Sequence, residues 1–525
     1  MPAPLLAAHP TVVVVSFSIY TLAIVAIGLY SARYSRRSDE DYFLAGRSLG
    51  SWVAALSASA SSESGWVTLG LVGWAFTEGV KAYWIIPGCL LGFLFNWFVV
   101  AGRMSDRARV LNALTLPDFF AFNFKERLPL LRILTVIVIL VAMFLYVAAQ
   151  FAAAGKAFEA SFETINYHWG VLIGAGIVLV YTVTGGFRAV CWTDFLQALL
   201  MVGTLVMFPL FLLMSEGGFG FITDELRSID EGLLHFTPQV GVIALIGFLL
   251  GHGALGINFG YPGQPHVLVR FMALRDKREA RLAGIISFCW GLLVYWGAVT
   301  IGLMARAMTQ AGADWGQRML ENPDVYGELG LVLSAMHLLP AVLSGMVLAA
   351  VLAAICSTAD SQLVVAASSP ANDLYARLVD KSGQAAHLLI NRVTVLVLGV
   401  AAVLMVYDKE VRVYDYVLTY GWAILGASFG PQVILLLLWE RASYVGCLAG
   451  MLTGFLLALI WPNVYNEAAT GVQVYNLPLA FVAALVMNVV CSLLFPPRAM
   501  DTATIEANPR LSRAEPSRPR PGEPA

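Results

Sequence analysis

Ala58-Ser59-Ala60-Ser61-Ser62-Glu63-Ser64-Gly65-Trp66 sits in the middle of an otherwise apolar run near residues 50–78. Five of the six residues from Ser59 to Ser64 carry a hydroxyl or an acid, and a glycine follows. Such a stretch makes a poor lipid-facing helix, because a carboxylate at bilayer depth is costly unless paired or hydrated. An unwound segment here would free backbone carbonyls toward a cavity, and hard cations such as Na⁺ take oxygens of that kind. The competing reading is a small-residue packing face with serines bonded back to their own helix, which sits badly with Glu63.

The rest of the chain points to a membrane setting. Charged residues are 13% of the 525, about half the roughly 25% of soluble domains. Hydrophobic residues make up 59%, too many for a soluble globule of this length. A formal charge of −2 argues against a nucleic-acid partner, which would need a basic face. Cys89, Cys191, Cys289, Cys356, Cys447 and Cys491 are scattered through apolar stretches with no CxxC pair, and read as packing residues. The first apolar run lacks a charged segment before it and is expected to be a retained span.

At roughly 20 apolar residues per crossing, thirteen spans are predicted. They lie near 10–31, 50–78, 82–102, 131–154, 168–186, 189–214, 240–262, 282–306, 330–359, 388–407, 415–438, 444–461 and 477–496. With the N-terminus outside, 25 of the 32 basic residues fall in inside loops and 7 in outside loops. That asymmetry sets the orientation and puts the C-terminus in the cytoplasm. Residues 1–497 form one transporter domain in this reading, and 498–525, rich in Pro and Arg, a disordered cytoplasmic tail. An acidic outside connection near 215–239 is expected to hold a short surface helix. Gly446, Gly450 and Gly454 mark a helix-contact face, read as packing within the monomer.

Two further segments carry polar groups at bilayer depth. In Ala354-Ile355-Cys356-Ser357-Thr358-Ala359-Asp360-Ser361-Gln362, residues 354, 357, 358 and 361 share one helical face, and Asp360 extends the stripe. Hydroxyls with a single carboxylate suit a dehydrated monovalent cation better than a divalent one; the alternative is a solvated helix end. In Asn258-Phe259-Gly260-Tyr261-Pro262-Gly263-Gln264-Pro265-His266, two glycines and two prolines break the helix, leaving Tyr261 and Gln264 beside the break for a small organic solute. The alternative there is a plain turn. Interrupted helices five spans apart are the pointer to an inverted-repeat transporter. Asp194 is a fourth embedded acid, able to join Asp360 at an ion site or merely to mark a helix end beside Arg188. Gln150 and His252 read as interhelical hydrogen-bonding groups.

The motifs DYFLAGRSLG (41–50), ALSASASSESGW (55–66), NALTLPDFF (112–120), TGGFRAVCWTD (184–194), GYPGQPHVLVRFMA (260–273), STADSQLVV (357–365) and GASFGP (426–431) occur in this order. Through them the chain resembles the sodium/solute symporter family, most closely its sodium/proline branch, from about residue 11 to 497. The resemblance implies an all-α membrane protein with a five-plus-five inverted repeat (LeuT-type) in spans 2–6 and 7–11. It implies a main sodium site on Ala60, Glu63, Ala354, Ser357 and Thr358. A second sodium site, present in some members, falls on Asp194, Ser357, Asp360 and Ser361. Solute-site positions match Ser64, Gly65, Trp66, Tyr146, Tyr261 and Pro265, and a functionally important loop arginine matches Arg47.

Two departures bear on function. The proline transporters carry Asp-Met where this chain has Ser62-Glu63, and one residue is a rotation of about 100° on a helix. Glu63 therefore inherits the backbone-carbonyl role cleanly, while its side chain opens a route to proton coupling. Ile257 stands where the proline transporters have a solute-site Trp, which weakens proline as the solute more than it weakens symport.

The expected function is sodium-driven uptake of a small solute, L-proline or a related amino or organic acid, across a bacterial-type inner membrane by a monomer. The rivals are a proton-coupled symporter of the same fold using Glu63 and a membrane solute sensor. An enzyme is disfavoured, because no nucleophile–base pair or metal-ligand cluster stands out at the midplane.

Overall fold

The structure, a computed structural model, describes residues 10–31, 39–183, 186–238, 241–251, 253–379, 384–408, 411–465 and 474–497. The described residues are 86% helical, and the pairing of Leu49 with Leu274 is an isolated bridge, not part of a strand. Among the described residues, nine helices are long and apolar enough to cross a membrane, and two shorter apolar helices cover Pro10–Ile24 and Tyr167–Val180. The proposed tail and His252 lie outside the described residues.

In chain order, α1 (Pro10–Ser31) precedes a broken element made of α2 (Ser51–Ser62) and α3 (Val72–Glu78). Between them the backbone leaves the helix at Glu63 (φ −102°, ψ 58°) and resumes as a π-helical turn, Trp66–Leu71. Gly79 ends α3 at φ 71°, where a Cβ would lie 2.2 Å from the carbonyl oxygen of Leu233, so glycine is required there. Next come α4 (Ile85–Phe95), α5 (Leu130–Ser161), α6 (Tyr167–Thr182) and α7 (Phe187–Ser215). The acidic connection does hold a helix, α8 (Gly218–Ile229).

The second broken element starts with α9 (Val242–Leu249), is non-helical at 250–251 and 253–254, and continues as a 3₁₀ helix, Leu255–Gly263. Gln264 is extended, and α10 (Pro265–Met272) starts with proline at its first position, where no intrahelical N–H is needed. The break is thus longer than expected. Besides the Gly260–Pro265 segment, it includes an earlier stretch where chains cross closely: a Cβ on Gly253 would sit 2.0 Å from the Trp74 ring, and one on Gly256 2.0 Å from the carbonyl oxygen of Leu250.

The long helices that follow are α11 (Glu279–Gln310), α12 (Ala341–Ser368), α13 (Gln384–Val406), α14 (Ala423–Leu438), α15 (Tyr444–Val464) and α16 (Asn476–Leu494). Helix α2 packs against α7, α10, α11 and α12, which places its polar end in the protein interior, away from lipid. Every residue of α12 from Val347 to Ser368 is buried, so its hydroxyls face protein. The glycine face of α15 packs within the chain: Gly446 and Gly450 lie against Asn488 of α16, and Gly454 against Ala427 of α14.

Candidate functional site

The C-terminal turn of α2 meets the middle of α12. The Ser357 hydroxyl donates to the carbonyl oxygens of Ala60 (3.0 Å) and Ala354 (3.1 Å), and the Thr358 hydroxyl to that of Ser61 (2.9 Å). All are buried. Because Glu63 is where the α2 helix ends, the last carbonyls of α2 have no complete set of intrahelical donors. The result is a cluster of neutral oxygens from two helices, the ligand chemistry of a dehydrated monovalent cation. Of the predicted sodium set, the structure brings together Ala60, Ala354, Ser357 and Thr358.

The Glu63 side chain goes elsewhere. Its Oε1 accepts hydrogen bonds from the hydroxyls of Ser62 (3.0 Å) and Tyr261 (3.0 Å), and Tyr261 shares a 3.1 Å bond with the Tyr295 hydroxyl. The backbone does leave the helix at Glu63, yet the carboxylate turns toward the second broken element and α11.

The residues predicted for a second sodium ion are partly assembled, around a cation the chain supplies itself. Asp194 Oδ2 accepts from Ser57 (2.8 Å), Ser61 (3.0 Å) and Ser361 (3.5 Å). The Arg270 guanidinium lies 2.7 Å from the same oxygen and also donates to Ser57 (2.9 Å), Ser61 (2.7 Å) and Ser361 (2.7 Å). Both charged side chains are fully buried. Asp194 is thus neither a solvated helix end nor a partner of Arg188, which pairs with Asp41 at 3.2 Å. Asp360 is buried within electrostatic reach of Tyr20 and Cys191.

The solute-site candidates line the break. Gln150, which the sequence marked only as an interhelical group, holds it in shape: its Oε1 accepts from the Gly65 amide (3.0 Å) and its Nε2 donates to the Ser64 hydroxyl (3.2 Å). The Trp66 indole donates back to the Ser62 carbonyl (3.2 Å). Tyr146 is buried and meets His266 edge-on at 6.2 Å. Gln264 donates to the carbonyls of Gly260 (3.1 Å) and Trp422 (3.2 Å). Pro265 starts α10. Sequence reasoning missed Trp422, whose ring meets Tyr261 at 4.8 Å and whose indole donates to the Ile257 carbonyl (3.0 Å). An indole from a different helix therefore stands beside Ile257.

Arg47 sits where three segments meet. It pairs with Glu40 (2.6 Å) and donates to the carbonyls of Ala113 (2.9 Å) and Met272 (3.4 Å), the last at the end of α10. Burial lowers its guanidinium pKa from the usual value, opposed by Glu40. Two more buried charge clusters flank the bundle. Lys156 pairs with Glu328 (2.6 Å), whose carboxylate also accepts from the amides of Val413 (3.1 Å) and Tyr414 (2.9 Å). Asp118 pairs with Arg132 (2.7 Å) and Arg377 (2.9 Å), and Asp373 with Arg132 (3.2 Å).

A model of the sodium:solute symporter family matches residues 42–454. The chain belongs to that family. It is 35% identical to the sodium/proline symporter of Escherichia coli (strain K12) over 513 residues, 97% of this chain and 98% of that one. It is 37% identical over 433 residues to the high-affinity proline transporter PutP of Bacillus subtilis (strain 168), 82% of this chain and 88% of that one. Among solved structures, a substrate-bound, outward-open Na⁺-coupled sialic acid symporter superposes with a TM-score of 0.72. That match covers 93% of this chain and 98% of the other at 18% identity, and it shows a shared fold. The expected fold class, an all-helical membrane transporter of the five-plus-five kind, is therefore correct.

Proposed function

We propose that this chain is a sodium-driven symporter that imports L-proline or a closely related amino or organic acid. The observation that carries the reading is the cluster of Ala60, Ser61, Ala354, Ser357 and Thr358 oxygens where α12 closes on the broken end of α2. A sodium ion there would tie the two helices together and fix the shape of the adjoining break. Ser64, Gly65, Trp66, Tyr146, Tyr261, Gln264 and Pro265 would then form the solute site across both broken elements. Rocking of the two repeats would expose ion and solute first to one side and then to the other, with Arg47 coupling the inner ends of α2 and α10.

One sodium ion per cycle is the reading the Asp194 cluster favours. A guanidinium already supplies the positive charge to Asp194, Ser61 and Ser361, so a second ion would have to displace it. The setting is a bacterial-type inner membrane, crossed thirteen times by a monomer with its N-terminus outside, and the partners are the solute, Na⁺ and lipid. The names of the relatives support proline, while Ile257 leaves room for a related solute.

A panel of radiolabelled amino and carboxylic acids, offered to proteoliposomes under an inward sodium gradient, tests this proposal. Sodium stimulates uptake of at least one member of the proline class in the expected outcome. Uptake that persists with choline in place of sodium and follows the proton gradient instead would favour the rival coupling through Glu63.

A further inference from the structure

Four buried acids in this bundle pair with buried bases. Asp194 has Arg270, Glu328 has Lys156, and Asp118 and Asp373 share Arg132. That pattern is expected, since an isolated charge in a low-dielectric interior is costly and a paired one much less so. Glu63 departs from it. It is fully buried, and among the described residues no Lys, Arg or His pairs with it. Its Oε1 is held by Ser62 and Tyr261, the Tyr295 hydroxyl also interacts with the carboxylate, and its Oε2 makes no hydrogen bond within 3.5 Å.

The surroundings of this carboxylate are aromatic. Tyr261 and Tyr295 join hydroxyls at 3.1 Å, and Phe93 packs against both rings, at 5.2 and 6.3 Å. Trp422 meets Tyr261 at 4.8 Å, and Trp66 meets Tyr295 at 6.4 Å. Electron-rich ring faces stabilise a cation, and a free carboxylate oxygen adds a charge-assisted hydrogen bond to any cation that carries an N–H. Water and Na⁺ gain little from indole and phenol rings. A substituted ammonium, with apolar carbons around its charge, gains from both the rings and the carboxylate.

We propose that Glu63 is the specificity-determining residue of the solute site and that it pairs with a protonated amine on the solute. The class of solute is a small primary or secondary ammonium, with the ammonium at Glu63 and its carbon frame between Trp66, Tyr261, Tyr295 and Trp422. Anionic acids without an amine are excluded, because they would bring a second negative charge to an unpaired carboxylate. Amines without an N–H are disfavoured, because they cannot make the hydrogen bond. The inference rests on the reading that the two breaks form the solute site, and it narrows the amino or organic acids proposed above to those bearing an amine.

Thermal stabilisation of the purified full-length protein in sodium buffer tests it, with four probes: L-proline, pyrrolidine, N,N-dimethylproline and tetrahydrofuran-2-carboxylate. L-Proline and pyrrolidine stabilise in the expected result, while the other two require at least about tenfold higher concentrations for the same shift. Glu63→Gln reduces the preference for proline over tetrahydrofuran-2-carboxylate to about threefold or less, and Glu63→Asp retains part of it. Equal stabilisation of the wild type by proline and tetrahydrofuran-2-carboxylate overturns the proposal, as does the absence of stabilisation by both amines. An undiminished preference in Glu63→Gln also overturns it. If Glu63→Gln does not fold, the ranking in the wild type decides. The readout needs no transport, so failure of sodium-stimulated uptake would sink symport and leave the amine preference to be judged separately.

Discussion

Asp194 and Arg270 show what a single residue does in this interior. Removing one partner strands the other charge away from water, at a cost of roughly 3–5 kcal/mol, whereas removing both can be nearly neutral. Arg270→Met is therefore expected to lower the thermal midpoint of the detergent-purified protein sharply, and Asp194→Asn in that background to recover part of the loss. Strictly additive losses in the double variant would mean that the two charges do not depend on each other. The sequence allowed Arg270 to be taken for a loop residue, because it follows a predicted break and lies among basic neighbours. Its burial follows from α10 folding back against α2, a tertiary event. Local pattern places a lone arginine in HVLVRFM, but it does not say which acid 76 residues away will face it. The serines at 57 and 61 are one helical turn apart, and that spacing was the one readable sign of a polar stripe aimed at a partner.

Breaks in helices were easier to foresee than their extent. A run of hydroxyls and an acid followed by Gly65 marked Ala58–Trp66 as the stretch in which α2 ends, at Ser62, since the polar side chains and the glycine all weaken the helix locally. The second break began earlier than Gly260 because Gly253 and Gly256 allow close approach to Trp74 and Leu250, contacts that depend on neighbours distant in sequence or across the bend. The glycine face of α15 was legible for the opposite reason: its spacing of four alone defines a stripe. A Cβ on Gly454 would lie 2.2 Å from the carbonyl oxygen of Ala427. Gly454→Ala should therefore destabilise by roughly 1–3 kcal/mol through overpacking. Gly203→Ala in α7, which meets nothing within 4 Å, should cost nothing; equal thermal midpoints for the two variants would refute this. Glu328 also acts between elements, joining Lys156 of α5 to the amides of Val413 and Tyr414. Glu328→Ala should cut uptake at least about tenfold while the protein still reaches the membrane, as read by initial rates normalised to the amount of transporter.

At the scale of the molecule, the charge asymmetry survives the structure. Arg47, Arg132, Lys156 and Arg270 are buried, so none of them reports on a solvent compartment. Setting them aside leaves 22 inside and 6 outside of the 25 and 7 counted, and the proposed orientation keeps its basis. It predicts that, in a background with the native cysteines replaced, Asp314→Cys reacts with a membrane-impermeant maleimide in intact cells. Lys277→Cys should react only after permeabilisation, and the reverse pattern would invert the topology. The fold class was legible from composition and from two interrupted helices, because the bilayer demands an apolar chain and tolerates a broken helix only where protein or a cavity shelters it. The pairing of oxygens across α2 and α12 was legible through the spacing of 354, 357, 358 and 361, whereas the direction of the Glu63 side chain was not, because it depends on the backbone angles at the break. Whether that oxygen cluster holds the driving ion decides the mechanism. The decisive measurement is the sodium concentration giving half-maximal proline uptake into proteoliposomes by the wild type, Ser357→Ala and Thr358→Ala. A rise of about tenfold or more in both variants, equivalent to roughly 1.4 kcal/mol of lost binding, is the predicted result, and an unchanged sodium dependence in both would contradict it.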